Sequence, residues 1–262
     1  MTALLDQIDW FATRRLADDD VADLPAELKP VDEAQAYQIQ GGVIERLIAA
    51  GRGPQVGWKI GVTTPQMRAH LGIEAPIIGG VLEAGRREAG GTVDTSLFTR
   101  IGIECEIAMV LGQPLGGGAP VNRHDAEAVV AAIHPAIELV DDRYGGDYPA
   151  FGVPGIIADF CFHAGFVLGP AVPDWRDLDL AALTGVTRAN GVEKLRGLGA
   201  DVQGHPMASL AWAANQLSTM GRRLEAGDIV LTGSLPLPYW ARAGEAIEIE
   251  IERLGKVAIT LA

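Results

Sequence analysis

The sequence predicts an α+β protein, mainly helical in pattern over residues 1–70 and β-rich over residues 71–262, of a length that allows one large domain or two small ones. Three observations predict it. Helical periodicities lie mainly at the edges of a middle and an end that read as strand and turn. The 33 glycines imply many tight turns. The strands do not alternate regularly with helices, which disfavours a βαβ arrangement. A chain of 262 residues, 48% of them hydrophobic, can bury a sizeable core without disulfides.

The elements follow in order. Leu5, Ile8 and Phe11 are spaced as one apolar helix face. Asp32 stands where an N-cap would precede a second helix, in which Ala36, Ile39, Val43, Leu47 and Ile48 recur at three- and four-residue steps. Gly51, Gly53 and Pro54 stop it. VGWKIGVT (56–63) reads as a strand with Lys59 inside an apolar run, and PQMRAHLG (65–72) as a short helix. The glycine-dense residues 72–91 hold only short strands. IGIECEIAMVL (101–111) alternates at its start and is a strand; DAEAVVAAI (125–133) is a short helix and AIELVD (136–141) a strand. DFCFHAGFVLG (159–169) reads as a buried strand and residues 208–220 as a helix. The end is strand and turn: GDIVLTGSL, EAIEIEIERLG and KVAITLA.

Composition excludes several function classes. Lys plus Arg is 21 and Asp plus Glu 34, a formal charge of −13. Nucleic acid and anionic membranes both need clustered positive charge, so neither is a partner. Cys105 and Cys161 form no CxxC pair, which rules out a disulfide framework and points to a reducing compartment. The N-terminus carries acids early and lacks the apolar stretch of a secretory signal. The longest nearly apolar run, 160–172, is broken by His163, two glycines and Pro170 and is too short to span a bilayer. The expected location is cytoplasmic.

The residues that could carry chemistry begin with Glu104-Cys105-Glu106. Strand residues two apart share a face, so the carboxylates project together while Ile103, Cys105 and Ile107 face the other way. A solvated face would tolerate the pair at little cost; a buried one needs a compensating charge, and a divalent cation supplies it. Glu138 lies in equally apolar surroundings, where it wants a cation, several donors or an arginine such as Arg143. Three carboxylates without a His/Cys cluster suit a hard ion, Mg²⁺ or Mn²⁺. Lys59 is either a snorkelling side chain or a buried cation facing the acids. His134 and His205 precede prolines and read as structural residues in turns. His163 is either a satisfied core residue or a pocket residue. Thr232, Gly233 and Ser234 end a strand in a turn that can offer donors to an anion. No P-loop, dinucleotide fingerprint or GxSxG elbow occurs.

These strings together, VGWKIGVT, IGIECEIA, HPAIELVDDRY and GHPMASLAWAANQL followed by GDIVLTGSL, resemble the 2-keto-4-pentenoate hydratase and 4-oxalocrotonate decarboxylase group of the fumarylacetoacetate hydrolase superfamily. AYQIQ near residue 37 is similar to that group's N-terminal helix. The resemblance covers roughly residues 30–262, and it is the order and combination of motifs that is specific. It implies a single catalytic domain, residues 1–262, with a fumarylacetoacetate-hydrolase-like mixed β-roll core and N-terminal helical elements packed on it. It implies Mg²⁺ or Mn²⁺ on Glu104, Glu106 and Glu138, with Lys59 beside the ion as substrate-facing cation and catalytic residue. It implies that Thr232, Ser234 and Leu235 close around the substrate's carboxylate end. A 2-oxo acid can chelate such an ion through its carboxylate and oxo oxygens, which stabilises an enolate.

The chain departs from the group's pattern at the far end of the expected site. An ADNAS-type stretch is replaced by Ala158-Asp159-Phe160-Cys161-Phe162, with His163 next. Phe160 and Phe162 are thereby candidate substrate contacts, for a substrate bulkier and less charged at its far end. Ile77 replaces the acid that hydratases carry after the proline of APIIGGVL, and a lysine is missing from YPAFGVPGIIAD. The PIxG form is decarboxylase-like and TGSL hydratase-like. The leading expectation is a hydratase of an unsaturated 2-oxo (2-hydroxydienoic) acid from aromatic-ring breakdown. The runner-up is a decarboxylase of a 2-oxo dicarboxylic acid. Third is a C–C hydrolase of an acylpyruvate or diketone, with His163 as catalytic base. Last is a non-catalytic partner subunit. The resemblance also implies a homo-oligomer and an association with a related pathway enzyme.

Overall fold

The computed structural model describes residues 2–262. Its helices are α1 (Thr2–Leu16), α2 (Glu33–Ala49), α3 (Pro65–Leu71), α4 (Arg123–Val129), α5 (Tyr148–Phe151), α6 (Val153–Ala158) and α7 (Pro206–Thr219). Its strands are β1 (Gln55–Gly61), β2 (Ile77–Leu82), β3 (Arg86–Arg87), β4 (Thr92–Val93), β5 (Ile101–Leu111), β6 (Val130–Asp141) and β7 (His163–Leu168). They continue with β8 (Thr184–Ala189), β9 (Val192–Leu198), β10 (Ile229–Ser234), β11 (Tyr239–Trp240), β12 (Ala246–Ile251) and β13 (Gly255–Leu261). One sheet runs in the order β2-β1-β10-β5-β6-β7-β3, with β11 also on β5; the other runs β4-β13-β12-β8-β9. Among the described residues no helix is long and apolar enough to cross a membrane.

The N-terminal helices form because their apolar stripes find each other. Asp32 caps α2 by accepting from the Gln35 N–H at 2.8 Å. Ala36, Ile39, Val43 and Leu47 are buried as the spacing predicts, but Ile44 takes the place expected of Ile48, which is exposed. In α1 the stripe runs Leu4, Ile8, Phe11, steps of four and three; Leu5, one position off it, is exposed. Gly42 permits the close helix contact, since a Cβ there would lie 2.4 Å from Ile8 Cδ1. Buried Gln40 then ties α2 to the sheet, donating to Ile78 O and Ile157 O and accepting from Gly80 N. The helical portion ends before β1, an inner strand bonded to both β2 and β10.

The core lies between the sheets. Ile103, Cys105 and Ile107 on β5 join Ile247, Ile249, Ile251, Val257 and Ile259 in one buried cluster. On the other face of β12, Glu250 pairs with Arg188 at 2.7 Å. Three sequence expectations change. The β6 strand begins at Val130, so 130–133 is strand rather than helix, and consecutive β-branched Val129 and Val130 suit that switch. His134 accordingly sits inside β6, with its Nδ1 2.9 Å from Gly169 O, instead of in a turn. Residues 159–162 are not strand either: Phe160, Cys161 and Phe162 take φ of 59°, 55° and 69° in a short left-handed turn, and the strand starts at His163. Consecutive non-glycine residues in that region cost about 1–2 kcal/mol each. The turn is held by Cys161 Sγ donating to Ile78 O, Phe162 N donating to Tyr144 Oη, and the Phe160 ring packed on Arg15.

Candidate active site

Strand pairing builds the site. Glu104 and Glu106 leave β5 on the same face, and the antiparallel register sets Glu138 of β6 directly opposite Glu104. One carboxylate oxygen from each of the three lies within 4.8 Å of the others. Glu106 and Glu138 are fully buried. Glu106 Oε2 accepts from Gly233 N at 2.9 Å, and Glu138 Oε1 contacts His163 Nδ1 at 2.8 Å and Lys59 Nζ at 3.3 Å. The other oxygen of each, Glu106 Oε1 and Glu138 Oε2, is buried with no hydrogen-bond partner.

The electrostatics show what is missing. Burial, and then the Glu138 charge, push Glu104 up to about 7. Burial and the other two carboxylates hold Glu106 well above the ordinary range. Burial alone would raise Glu138 too, but the Lys59 ammonium and the His163 hydrogen bond outweigh it and hold Glu138 low. Lys59 is raised in turn, because attraction to Glu138 and Glu104 outweighs its own desolvation. Ionised together, the three carboxylates would exceed the one ammonium by two negative charges, which is why Glu104 and Glu106 hold their protons more tightly than usual. Two orphaned oxygens and an all-oxygen donor set fit a hard divalent cation, Mg²⁺ or Mn²⁺.

The remaining expected residues separate into those at the site and those behind it. Lys59 and Glu104 line a cavity of about 410 Å³, as do Ser234 and Phe162. Ser234 Oγ accepts from Cys105 N at 3.2 Å, so its own hydrogen is free to donate. Thr232 is turned away: its hydroxyl donates to Ile107 O and its carbonyl accepts from Ser209. Gly233, with φ of 115°, breaks the β10 register here and aims its N–H at Glu106. Leu235 is buried in the core between the sheets, its N–H on Cys105 O. Phe160 packs among the N-terminal helices rather than on the cavity. His163 stands behind Glu138, where its Nε2 is buried without a hydrogen-bond partner, and it is not among the residues lining the cavity with Lys59.

Sequence reasoning did not find the other walls. Met67 and Leu71 of α3, Tyr148, Leu237 and Trp240 also line the cavity, together with Ile77 of β2. No local pattern marks them, because they come from segments far apart in the chain. Gly61 had no signal either, although it makes the hollow. A Cβ there would lie 3.3 Å from Lys59 Nζ and 3.6 Å from Ile77 Cγ1.

Comparison with known proteins identifies the family. Residues 83–262 match the fumarylacetoacetate (FAA) hydrolase C-terminal model. The chain is 33% identical to a 4-oxalocrotonate decarboxylase of Pseudomonas putida, over 86% of this chain and 84% of that one. It is 34% identical to a 2-oxo-hept-4-ene-1,7-dioate hydratase of Escherichia coli, over 85% and 84%. The fold superposes with a TM-score of 0.91, at 29% identity, on the 4-oxalocrotonate decarboxylase from Pseudomonas putida G7 complexed with magnesium and adipate, covering 99% of this chain and 97% of that one. Matched over most of its length in sequence and over nearly all of it in fold, the chain belongs to the fumarylacetoacetate hydrolase family.

Proposed function

We propose that the protein is a divalent-metal-dependent lyase, a hydratase that adds water to an unsaturated 2-oxo (2-hydroxydienoic) acid of aromatic-ring breakdown. The observation that carries this reading is the buried Glu104–Glu106–Glu138 cluster, two of its oxygens unpartnered, at the wall of an otherwise mostly apolar cavity. Those three residues would hold Mg²⁺ or Mn²⁺, which when bound supplies Lewis acidity towards a 2-oxo acid's carboxylate and oxo oxygens. Lys59 stays protonated beside Glu138 and is a fixed positive charge for the substrate's carboxylate end. Ser234 offers its hydroxyl hydrogen on the same side. His163 holds Glu138 in orientation from behind, as partners of ligating carboxylates do. The apolar walls keep bulk water from the reacting chain.

A decarboxylase of a 2-oxo dicarboxylic acid is the second reading, favoured by the close superposition on the Pseudomonas putida G7 decarboxylase. The position of His163 behind Glu138, outside the cavity lining, speaks against the hydrolase reading, which needs it as base. A non-catalytic subunit would have no need of Lys59 and three carboxylates converging on one point. Buried free Cys105 and Cys161 support a reducing, cytoplasmic setting, and the family resemblance supports assembly into a homo-oligomer. The test is product analysis with Mg²⁺ present. A 2-hydroxydienoic acid should yield the 4-hydroxy-2-oxo acid by NMR, and EDTA should stop it. CO₂ release from an unsaturated 2-oxo dicarboxylate would establish the second reading instead. Turnover of neither acid by Mg²⁺-loaded protein would sink both.

A further inference from the structure

We propose that the substrate carries a single carboxylate, held at the Lys59 end, and that its far end is uncharged and apolar. This rests on the metal and 2-oxo-acid reading above and deepens it. The relatives do not decide the point: the two named above are named for dicarboxylates, whereas a 2-hydroxyhexa-2,4-dienoate hydratase and a 2-keto-4-pentenoate hydratase, 34% and 31% identical to this chain, are named for monocarboxylates. The cavity does.

Among the described residues lining the cavity, Lys59 is the one cation and Glu104 the one carboxylate. Lys59, 3.3 Å from Glu138, is anchored at the cluster end and serves the carboxylate there, so it is not free for a second one. Thr63, Thr64, Ser234 and Tyr148 add hydroxyls, Trp240 an indole N–H and Cys161 a thiol, all neutral, and everything else is apolar or glycine. Ile77 stands across the Gly61 hollow from the Lys59 ammonium, so a chain leaving the carboxylate end meets a branched hydrocarbon at once. The rest of the apolar lining includes Met67, Leu71, Phe162, Leu237 and Trp240.

Arg68 and Arg196 line an adjoining groove that shares Thr64, Pro236 and Leu237 with the cavity, but neither is in the cavity's own lining, and Arg196 pairs with Glu193 at 2.8 Å. Arg68 donates to Thr63 O at 2.7 Å and Val62 O at 3.4 Å. His70 is exposed, its ring against the Tyr148 ring and outside the lining. The left-handed turn at Phe160–Phe162 fixes the aromatic wall. Phe162 is wedged between Tyr144 and Tyr148, with ring centroids at 4.7 and 5.3 Å, and cannot turn aside for a charged group without losing both contacts. A second carboxylate placed here would lose its water and gain no counter-charge. An alkyl or alkenyl end loses water favourably.

The test is calorimetry on the full chain, saturated with Mg²⁺, using three probes: oxalate, 2-oxohexanoate and 2-oxoadipate. Oxalate reports the shared metal and 2-oxo-acid end. The other two have the same chain length and differ only in the terminal carboxylate. We expect 2-oxohexanoate to bind roughly 100-fold more tightly than 2-oxoadipate. In Ile77→Lys, and independently in Met67→Lys on the half-buried face of α3, 2-oxoadipate should gain about 10-fold. Two lysine variants guard against one that does not fold. If oxalate binds and the two longer acids bind equally, the inference is overturned while the metal reading stands. If oxalate does not bind at all, the metal reading falls and takes the inference with it.

Discussion

The two ends of the cavity are built in opposite ways. The carboxylate end is made by backbone regularity: alternation on β5 pairs Glu104 with Glu106, and antiparallel register adds Glu138. Its side chains are charged and buried, so they are held by counter-charge and hydrogen bonds: Lys59 and His163 on Glu138, and the Gly233 N–H on Glu106. The far end is made by irregular pieces: a seven-residue helix, a left-handed turn, a two-residue strand and the loop before it. Its side chains are apolar and held by packing. The near end therefore tolerates almost no chemical change, whereas the far end can alter what it accepts without disturbing the charges.

The sharpest way to break the near end is Glu106→Gln. The amide keeps the shape and can still accept from Gly233 N, but it removes one negative charge from the donor set. Mg²⁺ binding by calorimetry should disappear, and turnover should fall about 1,000-fold, which corresponds to about 4 kcal/mol. Retention of normal Mg²⁺ affinity would mean that the ion, if any, sits elsewhere.

The paired phenylalanines sharpen the far end. Phe160→Ala empties a fully packed site among the helices and should cost about 3–5 kcal/mol of stability, read as a fall in Tm, with ligand preference intact in protein that remains folded. Phe162→Ala opens the cavity instead. It should cost less stability and weaken 2-oxohexanoate while leaving oxalate unchanged. Equal ligand effects from both would contradict the division between them.

That contrast also explains what was legible in the sequence. A strand's two-residue period is local, so the shared face of Glu104 and Glu106 could be read from three consecutive letters, and the buried Ile103, Cys105 and Ile107 from the same run. The β8–β9 hairpin was missed although its turn, Asn190-Gly191 with both φ positive, carries a readable signal. Residues 159–162 looked like strand because Phe and Cys suit one. Nothing local announces that they bend left-handed, and the contacts holding the turn come from Arg15, Ile78 and Tyr144. Motif resemblance placed Thr232 and Leu235 at the site; the bulge at Gly233 turns both away and leaves a backbone N–H and Ser234 there instead.

Lys59→Met tests whether the ammonium is the cluster's resident counter-charge. The variant keeps the length of the stem and removes the charge beside Glu138. In EDTA it should lose about 3 kcal/mol of stability, because a buried carboxylate is left unpaired. Added Mg²⁺ should then raise its Tm by more than it raises the wild type's, since the ion relieves more repulsion. A smaller rise in the variant would show that Lys59 helps to organise the metal site rather than substituting for charge.

His163 gives the smallest effect and separates two roles. With Glu138 held ionised by Lys59, the imidazole donates its Nδ1 proton to Oε1 and orients that carboxylate from behind. His163→Ala should weaken Mg²⁺ about 10- to 100-fold, the usual cost of losing a partner that orients a ligand. Raising Mg²⁺ should then restore most of the turnover, and the preference between 2-oxohexanoate and 2-oxoadipate should not move, because the ring does not line the cavity. A reacting base would behave the other way: kcat would fall, Mg²⁺ affinity would hold, and no concentration of the ion would rescue the variant. The two patterns differ in both measurements, so one titration with one assay decides whether His163 belongs to the charged end or to the reaction.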